Sequence, residues 1–297
     1  MTITRSAHPS ALWPGVKAWF GKSYDELPAE WSRVFEKDTS DKYAEELVET
    51  TGFGYAPIKS EGAAISYDTD GEGYKSTLTH VVYGLGYIVT EEELEDNQYK
   101  EVSERRARAL AFSMRSTAEQ VHANYLTGGF GTNGGDGVPL FSASHPTRSG
   151  NQSNLLTAAD ISESGLEDGL KTIRKAKNNR GLFIGLNCKR LVVHPDDIFT
   201  VTRILDSQLR QGTANNDINA IKALGKIPEV VEMTRLSDTD SWYLQTTAPE
   251  GLKSMWRRQV SLMKDEEFDT SNAKSKATMR FAVGSGDWRS VYASAGA

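Results

Sequence analysis

The 297-residue sequence predicts a mixed α+β fold with parts that project beyond its own core. Three observations carry this. One stretch, 90–127, runs without proline at a helical period. A polar ribbon with a glycine turn, 50–89, precedes it. Beyond residue 157, short apolar strands alternate with helical segments, and the chain ends in closing strands.

The first 49 residues form an arm rich in aromatics, Trp13, Trp19 and Trp31 among them. Pro9, Pro14 and Pro28 divide it, and Pro28 suits the first turn of a helix extending toward Val48. Chain ends are seldom so aromatic unless something anchors them, so these tryptophans are expected to dock on neighbours. In the ribbon, Asp70-Gly71-Glu72-Gly73 is turn chemistry and predicts the tip of a hairpin, with Tyr55–Tyr67 going out and Tyr74–Val89 returning. The middle is polar on both faces, while Val81–Val89, VVYGLGYIV, is apolar on both and is expected to enter a core. A two-stranded ribbon is marginal in water by itself, so the tip should rest on something outside its own domain.

Thr90 and Glu93 fit a capping box. Leu94, Val102, Leu110, Met114, Ala118, Val121 and Tyr125 then fall near a period of 3.6, and Gly128-Gly129 ends the run. Arg105, Arg106 and Arg108 interrupt any heptad seam, which favours a single strut over a coiled coil. A glycine- and serine-rich loop fills 130–156. After it come a helix from Thr157 or Asp160 through Ala176, a strand Lys189–His194, a helix from Pro195 to Leu209, a polar loop 212–219, a strand Trp242–Leu244, and closing strands Lys276–Val283 and Trp288–Tyr292.

Composition excludes several classes. A net charge of −6 gives no electrostatic grip on nucleic acid. No apolar run approaches the ~20 residues a spanning helix needs, and no signal peptide is visible, so an intracellular origin is expected. A single cysteine, Cys188, excludes an internal disulfide or a cysteine-based zinc site, and a buried, inert thiol is expected. The segment from Gly15 to Lys22 has five residues between its glycines where a phosphate loop needs four. Asp68 and Asp70 lack the register of a calcium loop. No two of the five histidines lie three or four apart. A pairing of His145 with Ser142 or Ser144 is the one nucleophilic arrangement to weigh, and no elbow motif accompanies it. No catalytic, cofactor or metal-binding set follows.

Several runs resemble a known family. YIVTEEELEDNQY with SERRARALAFSMRSTAE, then DGVPLFSASHP, GTANNDINAIK, LSDTDSWYL and FDTSNAKSKATMRFAVGSGDWRSVY are similar, in this order, to tailed-bacteriophage major capsid proteins of the Mu-like major head subunit type. The resemblance covers most of 25–295. It implies an N-terminal arm (1–49), an extended hairpin loop (50–89), a peripheral domain (90–156) with a spine helix (90–127), an axial α/β domain (157–267) and a return to the peripheral domain (268–297). It implies hexamers and pentamers of this chain in an icosahedral shell around double-stranded DNA held without sequence specificity. The subunit would be made in the host cytoplasm and placed in the virion. A separate scaffold protein is expected because the arm starts almost at once; a portal and a decoration protein are further implied partners, and no membrane is involved. Contacts between subunits are expected at Trp13, Trp19, Trp31, Lys59, Glu61, Tyr67, Asp70, Glu72, Lys75, Arg105, Arg106 and Arg108. Some relatives join a hairpin lysine to a neighbour's asparagine; Lys59 and Lys75 lie in that region, and nothing in the sequence marks them as reactive. The alternatives are a cargo-holding nanocompartment of the same fold, or a hydrolase using His145.

Overall fold

The computed structural model describes residues 13–26, 29–90, 92, 99–210, 217–266 and 272–297. Helix α1 (Trp13–Asp25) and a single turn, α2 (Trp31–Val34), lead into strands β1 (Glu36–Thr39) and β2 (Ala44–Thr50). The helix expected from Pro28 to Val48 is therefore one turn long. Its Trp31–Val34–Phe35 stripe is buried, but the chain then turns extended because β1 finds a long-range parallel partner. Strands β3 (Glu72–Thr79) and β4 (Val81–Val89) follow, then the long helix α3 (Tyr99–Thr127). Leu94, Glu93 and the expected helix start lie outside the described residues, as does the side chain of Val102. The 29 residues of α3 span about 43 Å at 1.5 Å each.

The described residues build two four-stranded sheets and a two-stranded one, β2-β3. Strands β8 (Leu252–Glu266) and β9 (Ala273–Ser285) are the long centre of the first, ordered β1-β8-β9-β4. Along β9, Ala273, Ser275, Ala277, Met279 and Phe281 are buried, while Lys274, Lys276, Thr278 and Arg280 alternate on the other face. Helix α3 covers the buried face with Ala107, Leu110, Ala111, Met114, Ala118, His122 and Leu126, spaced three and four apart. The small alanines let the helix lie close to the strands. The second sheet, β10-β7-β5-β6, contains β5 (Cys188–Val193), β6 (Val230–Glu232), β7 (Trp242–Thr246) and β10 (Val291–Ser294). One face joins the main core through Val192, Tyr243 and Ala293. The other packs on α4 (Glu163–Arg174) and α5 (Ile198–Asp206) through Leu166, Ile173 and Val201. Helix α4 starts at its N-cap Ser162, whose hydroxyl accepts from Gly165 N, rather than at Thr157 or Asp160. A short helix, α6 (Ala220–Leu224), completes this unit.

Strand β8 pairs with β9 along its length in the first sheet, and β10 pairs with β7 in the second. Sequence-adjacent strands joined by a hairpin pair with each other, so the chain crosses between sheets near 247–251 and again near 286–290.

Candidate assembly interface

The ribbon forms, but not with the strands expected. Strand β2, not Tyr55–Tyr67, is the outgoing partner of β3, with Ala44 opposite Thr79 and Thr50 opposite Glu72. Residues 51–71 are an irregular loop, and Asp70-Gly71 is its neck rather than the tip. Thr51 N donates to Gly71 O (2.9 Å), and the Asp70 carboxylate accepts from Gly52 N (2.7 Å) and Gly71 N (2.8 Å). Asp68 accepts from Gly54 N (2.9 Å) and Thr69 N (2.9 Å), which holds its carboxyl below the usual range. These backbone contacts account for the two aspartates that hinted at a calcium loop.

The neck rests on its own chain. Arg180 Nη2 donates to Thr69 O (2.7 Å). Beneath β2, Arg289 is 2% exposed; its Nη1 meets Glu49 Oε1 at 2.7 Å and Asp287 Oδ1 at 3.1 Å, and its Nε donates to Lys177 O (2.8 Å). The guanidinium stacks on Trp288, and Trp288 stacks in turn on His145, 4.2 Å between ring centroids. His145 is buried: Nδ1 lies 2.5 Å from Asp136 Oδ2, and Nε2 donates to Asn154 Oδ1 (3.0 Å). Asn154 Nδ2 faces the carbonyls of Leu140, Trp288 and Val291, which fixes Oδ1 as the acceptor. Both imidazole nitrogens are thus engaged away from any serine, and the Ser142 hydroxyl instead accepts from Ser144 N (3.2 Å). The His145 hydrolase arrangement is not formed. Cys188 is buried, and burial pushes its thiol up to about 12.

Beyond the neck no described residue covers the loop. Phe53, Tyr55, Ile58, Ile65 and Tyr67 are 60, 75, 99, 66 and 92% exposed. Lys59 and Glu61 sit exposed at the actual turn, where Ala63 N donates to Ser60 O. Glu72 and Lys75, also exposed, face each other at 3.5 Å on β3. On α3, Arg105 is exposed, Arg108 pairs with Glu104 (2.6 Å), and Arg106 reaches Ile88 O (3.4 Å). The arm aromatics differ from expectation. Trp31 is buried within its own core, 4.3 Å from the His122 ring and 5.7 Å from Trp256, and Trp19 packs partly on the same core. These two anchor the arm to its parent chain. The side chain of Trp13 lies outside the described residues. Strand β4 meets its expectation in part: Tyr83 and Tyr87 pack on the core and Val89 is buried, but the strand is a sheet edge with Val81, Val82, Leu85 and Ile88 about half exposed.

No helix among the described residues is long and apolar enough to cross a membrane. No curated protein matches the sequence. Solved structures match across nearly the whole chain at low identity. One from Mycobacterium phage Patience has a TM-score of 0.56 at 10% identity, covering 99% of this chain and 90% of that one. One from Mycobacterium phage Che8 has a TM-score of 0.52 at 16% identity, covering 94% and 92%. A virus-like particle from Pyrococcus furiosus has a TM-score of 0.53 at 9% identity, covering 95% and 98%. The fold is that of tailed-phage capsid proteins. A family model described as phage capsid protein matches residues 73–294, three quarters of the sequence, so this chain belongs to a phage capsid protein family.

Proposed function

We propose that this chain is the major head subunit of a tailed phage of the Mu-like type, forming hexamers and pentamers that close an icosahedral shell around double-stranded DNA. One observation carries the reading: five large apolar side chains between Phe53 and Tyr67 project from a neck that the parent chain fixes, and no described residue of that chain covers them. Full burial of such side chains is worth roughly 1.5–3 kcal/mol each, so together on the order of 10 kcal/mol favours docking on a neighbour before ordering costs. The exposed Lys59, Glu61, Arg105 and Arg108 are candidate polar contacts around that seat. The chain acts as a structural part rather than an enzyme, with His145 serving to hold its loop. An acidic balance suits a container that packages DNA without gripping it. A separate scaffold, a portal and a decoration protein complete the expected set of partners, and synthesis takes place in the host cytoplasm.

The neck defines the experiment. Thr51 and Gly71 are hydrogen-bonded neighbours, so residues 54–67 can be replaced by a short Gly-Ser linker without disturbing β2 or β3. The variant should fold with unchanged thermal stability and fail to close shells under the electron microscope. Normal particles would overturn the role of the loop. The second reading is a protein nanocompartment of the same fold, a fold that the virus-like particle from Pyrococcus furiosus also shares. Particles purified from the native source distinguish the two: nuclease-protected DNA supports the head, and an enclosed cargo protein supports the compartment.

A further inference from the structure

Strand β4 reads nearly the same in both directions. Val81-Val82-Tyr83-Gly84-Leu85-Gly86-Tyr87-Ile88-Val89 is a palindrome about Leu85, broken only by the swap of Val82 for Ile88. All nine residues pair on one side, with Phe281 through Ala273 of β9, and among the described residues no strand of this chain lies on the other side. Open edges in soluble proteins carry charges, proline or bulges that block pairing, and β4 has neither a charge nor a proline and keeps an unbroken register. Val81, Val82, Leu85 and Ile88 are about half exposed.

We propose that β4 pairs antiparallel with β4 of a second copy across a two-fold axis at Leu85, joining two four-stranded sheets into one of eight strands. An isologous contact needs a patch that complements itself, and an antiparallel pairing centred on Leu85 supplies this residue by residue. Leu85 faces Leu85, Gly84 faces Gly86, Tyr83 faces Tyr87, Val82 faces Ile88 and Val81 faces Val89. Opposed residues share a sheet face, so the side that packs on α3 stays continuous between copies. An uncharged strand meets itself without like-charge repulsion, whereas a charged partner strand finds no counter-charge on it. Arg106 donates to the Ile88 carbonyl, which retains a second lone pair for the partner.

The pairing rests on the reading that copies of this chain assemble, and its test separates the two. Cross-strand Cβ atoms lie ~5 Å apart, within reach of a short bis-maleimide linker. Native Cys188 is buried with a raised thiol and stays silent. In assembled particles, Leu85→Cys should give covalent dimers, and an exposed control on α3, Phe112→Cys, should not. Val82→Cys alone and Ile88→Cys alone should remain monomers, and particles co-assembled from both should give dimers. Leu85→Lys places two ammonium groups face to face and should abolish assembly with subunit melting unchanged. Leu85→Cys linking no better than the control, Val82→Cys linking to itself, or normal particles from Leu85→Lys would each overturn the pairing alone. A wild-type protein that never assembles would overturn the capsid reading and the pairing with it.

Discussion

Replacing Arg289 by methionine should unfasten the ribbon from inside. The side chain is 2% exposed and sits between Glu49 at 2.7 Å, Asp287 at 3.1 Å and the Lys177 carbonyl at 2.8 Å. Methionine keeps most of the volume against Trp288 but leaves two largely buried carboxylates without their cation. Removing one partner of a buried ion pair costs about 3–5 kcal/mol, roughly 10 °C in melting temperature for a chain of this size. The loss should depend on pH. Burial already raises the Asp287 carboxyl, and Arg289 opposes that rise, so the variant's carboxyl moves higher still. With its folded pKa above the unfolded one, Asp287 stabilises the fold when protonated, and that contribution disappears as pH rises through the folded pKa. The gap between wild type and variant should therefore be widest near neutral pH and narrow on acidification. Differential scanning fluorimetry of unassembled subunits at about pH 7 and about pH 4.5 reads both quantities. Adding Glu49→Gln should recover part of the loss by removing one stranded charge. A shift below about 2 °C, or one independent of pH, would refute the argument.

Three other outcomes follow from the core. His122 is neutral and fully paired: Nδ1 donates to Ala118 O (2.7 Å), Ser254 Oγ donates to Nε2 (2.8 Å), and Trp256 Nε1 donates to Ser254 Oγ (2.9 Å). Burial pushes its pKa down to about 4, so stability present above 6.5 is lost as pH falls toward 4, about 2 kcal/mol of it by about pH 5; urea titrations of His122→Phe should show that slope removed. Asn154→Leu leaves the Ser142 amide and three carbonyls without their partner and should cost at least ~2 kcal/mol in the same assay. Gly129→Ala drives a methyl to 2.7 Å from the Phe141 ring and should cost about 1–3 kcal/mol, against little change for Gly131→Ala, where nothing lies within 4 Å.

Elements fixed by local chemistry were legible in the sequence. The stripe of α3, the strand over Cys188–Val193 and the closing β9 all appear close to where periodicity puts them. What failed depended on distant partners. Trp31, Val34 and Phe35 do form an apolar stripe, yet the helix ends after one turn because Glu36–Thr39 pairs with Lys253–Trp256, more than 200 residues away. Asp70-Gly71 has turn chemistry in either position, and whether it closes a tip or a neck depends on which strand opposes β3. Ala44–Thr50, AEELVET, carries three glutamates and little strand signal, so the sequence points past it to the tyrosines beyond. The buried ion pairing of Arg289 was invisible because its three contacts come from β2, from Asp287 and from the loop after α4.

The half-open state of β4 has a different origin. An apolar run states that a surface must leave water; it does not state which molecule covers it. VVYGLGYIV reads as a core strand; among the described residues Tyr83, Tyr87 and Val89 pack inward while Val81, Val82, Leu85 and Ile88 stay about half exposed. The ribbon divides in the same way between a root that the chain holds and an end that its described residues leave exposed. Its neck is held by Asp70, Arg180 and Arg289, all acting inside the parent chain, while no described residue covers Ile58 and Tyr67 beyond the neck. A rigid root beneath an uncovered end lowers the entropy lost on docking, since the direction of approach is set before the partner arrives. On the proposed reading, positioning energy is spent on buried contacts that fold the subunit, and the exposed apolar surface serves contacts between subunits. A subunit built this way folds alone yet remains incomplete, and weakening the root at Arg289 should impair assembly even where Ile58 and Tyr67 are untouched.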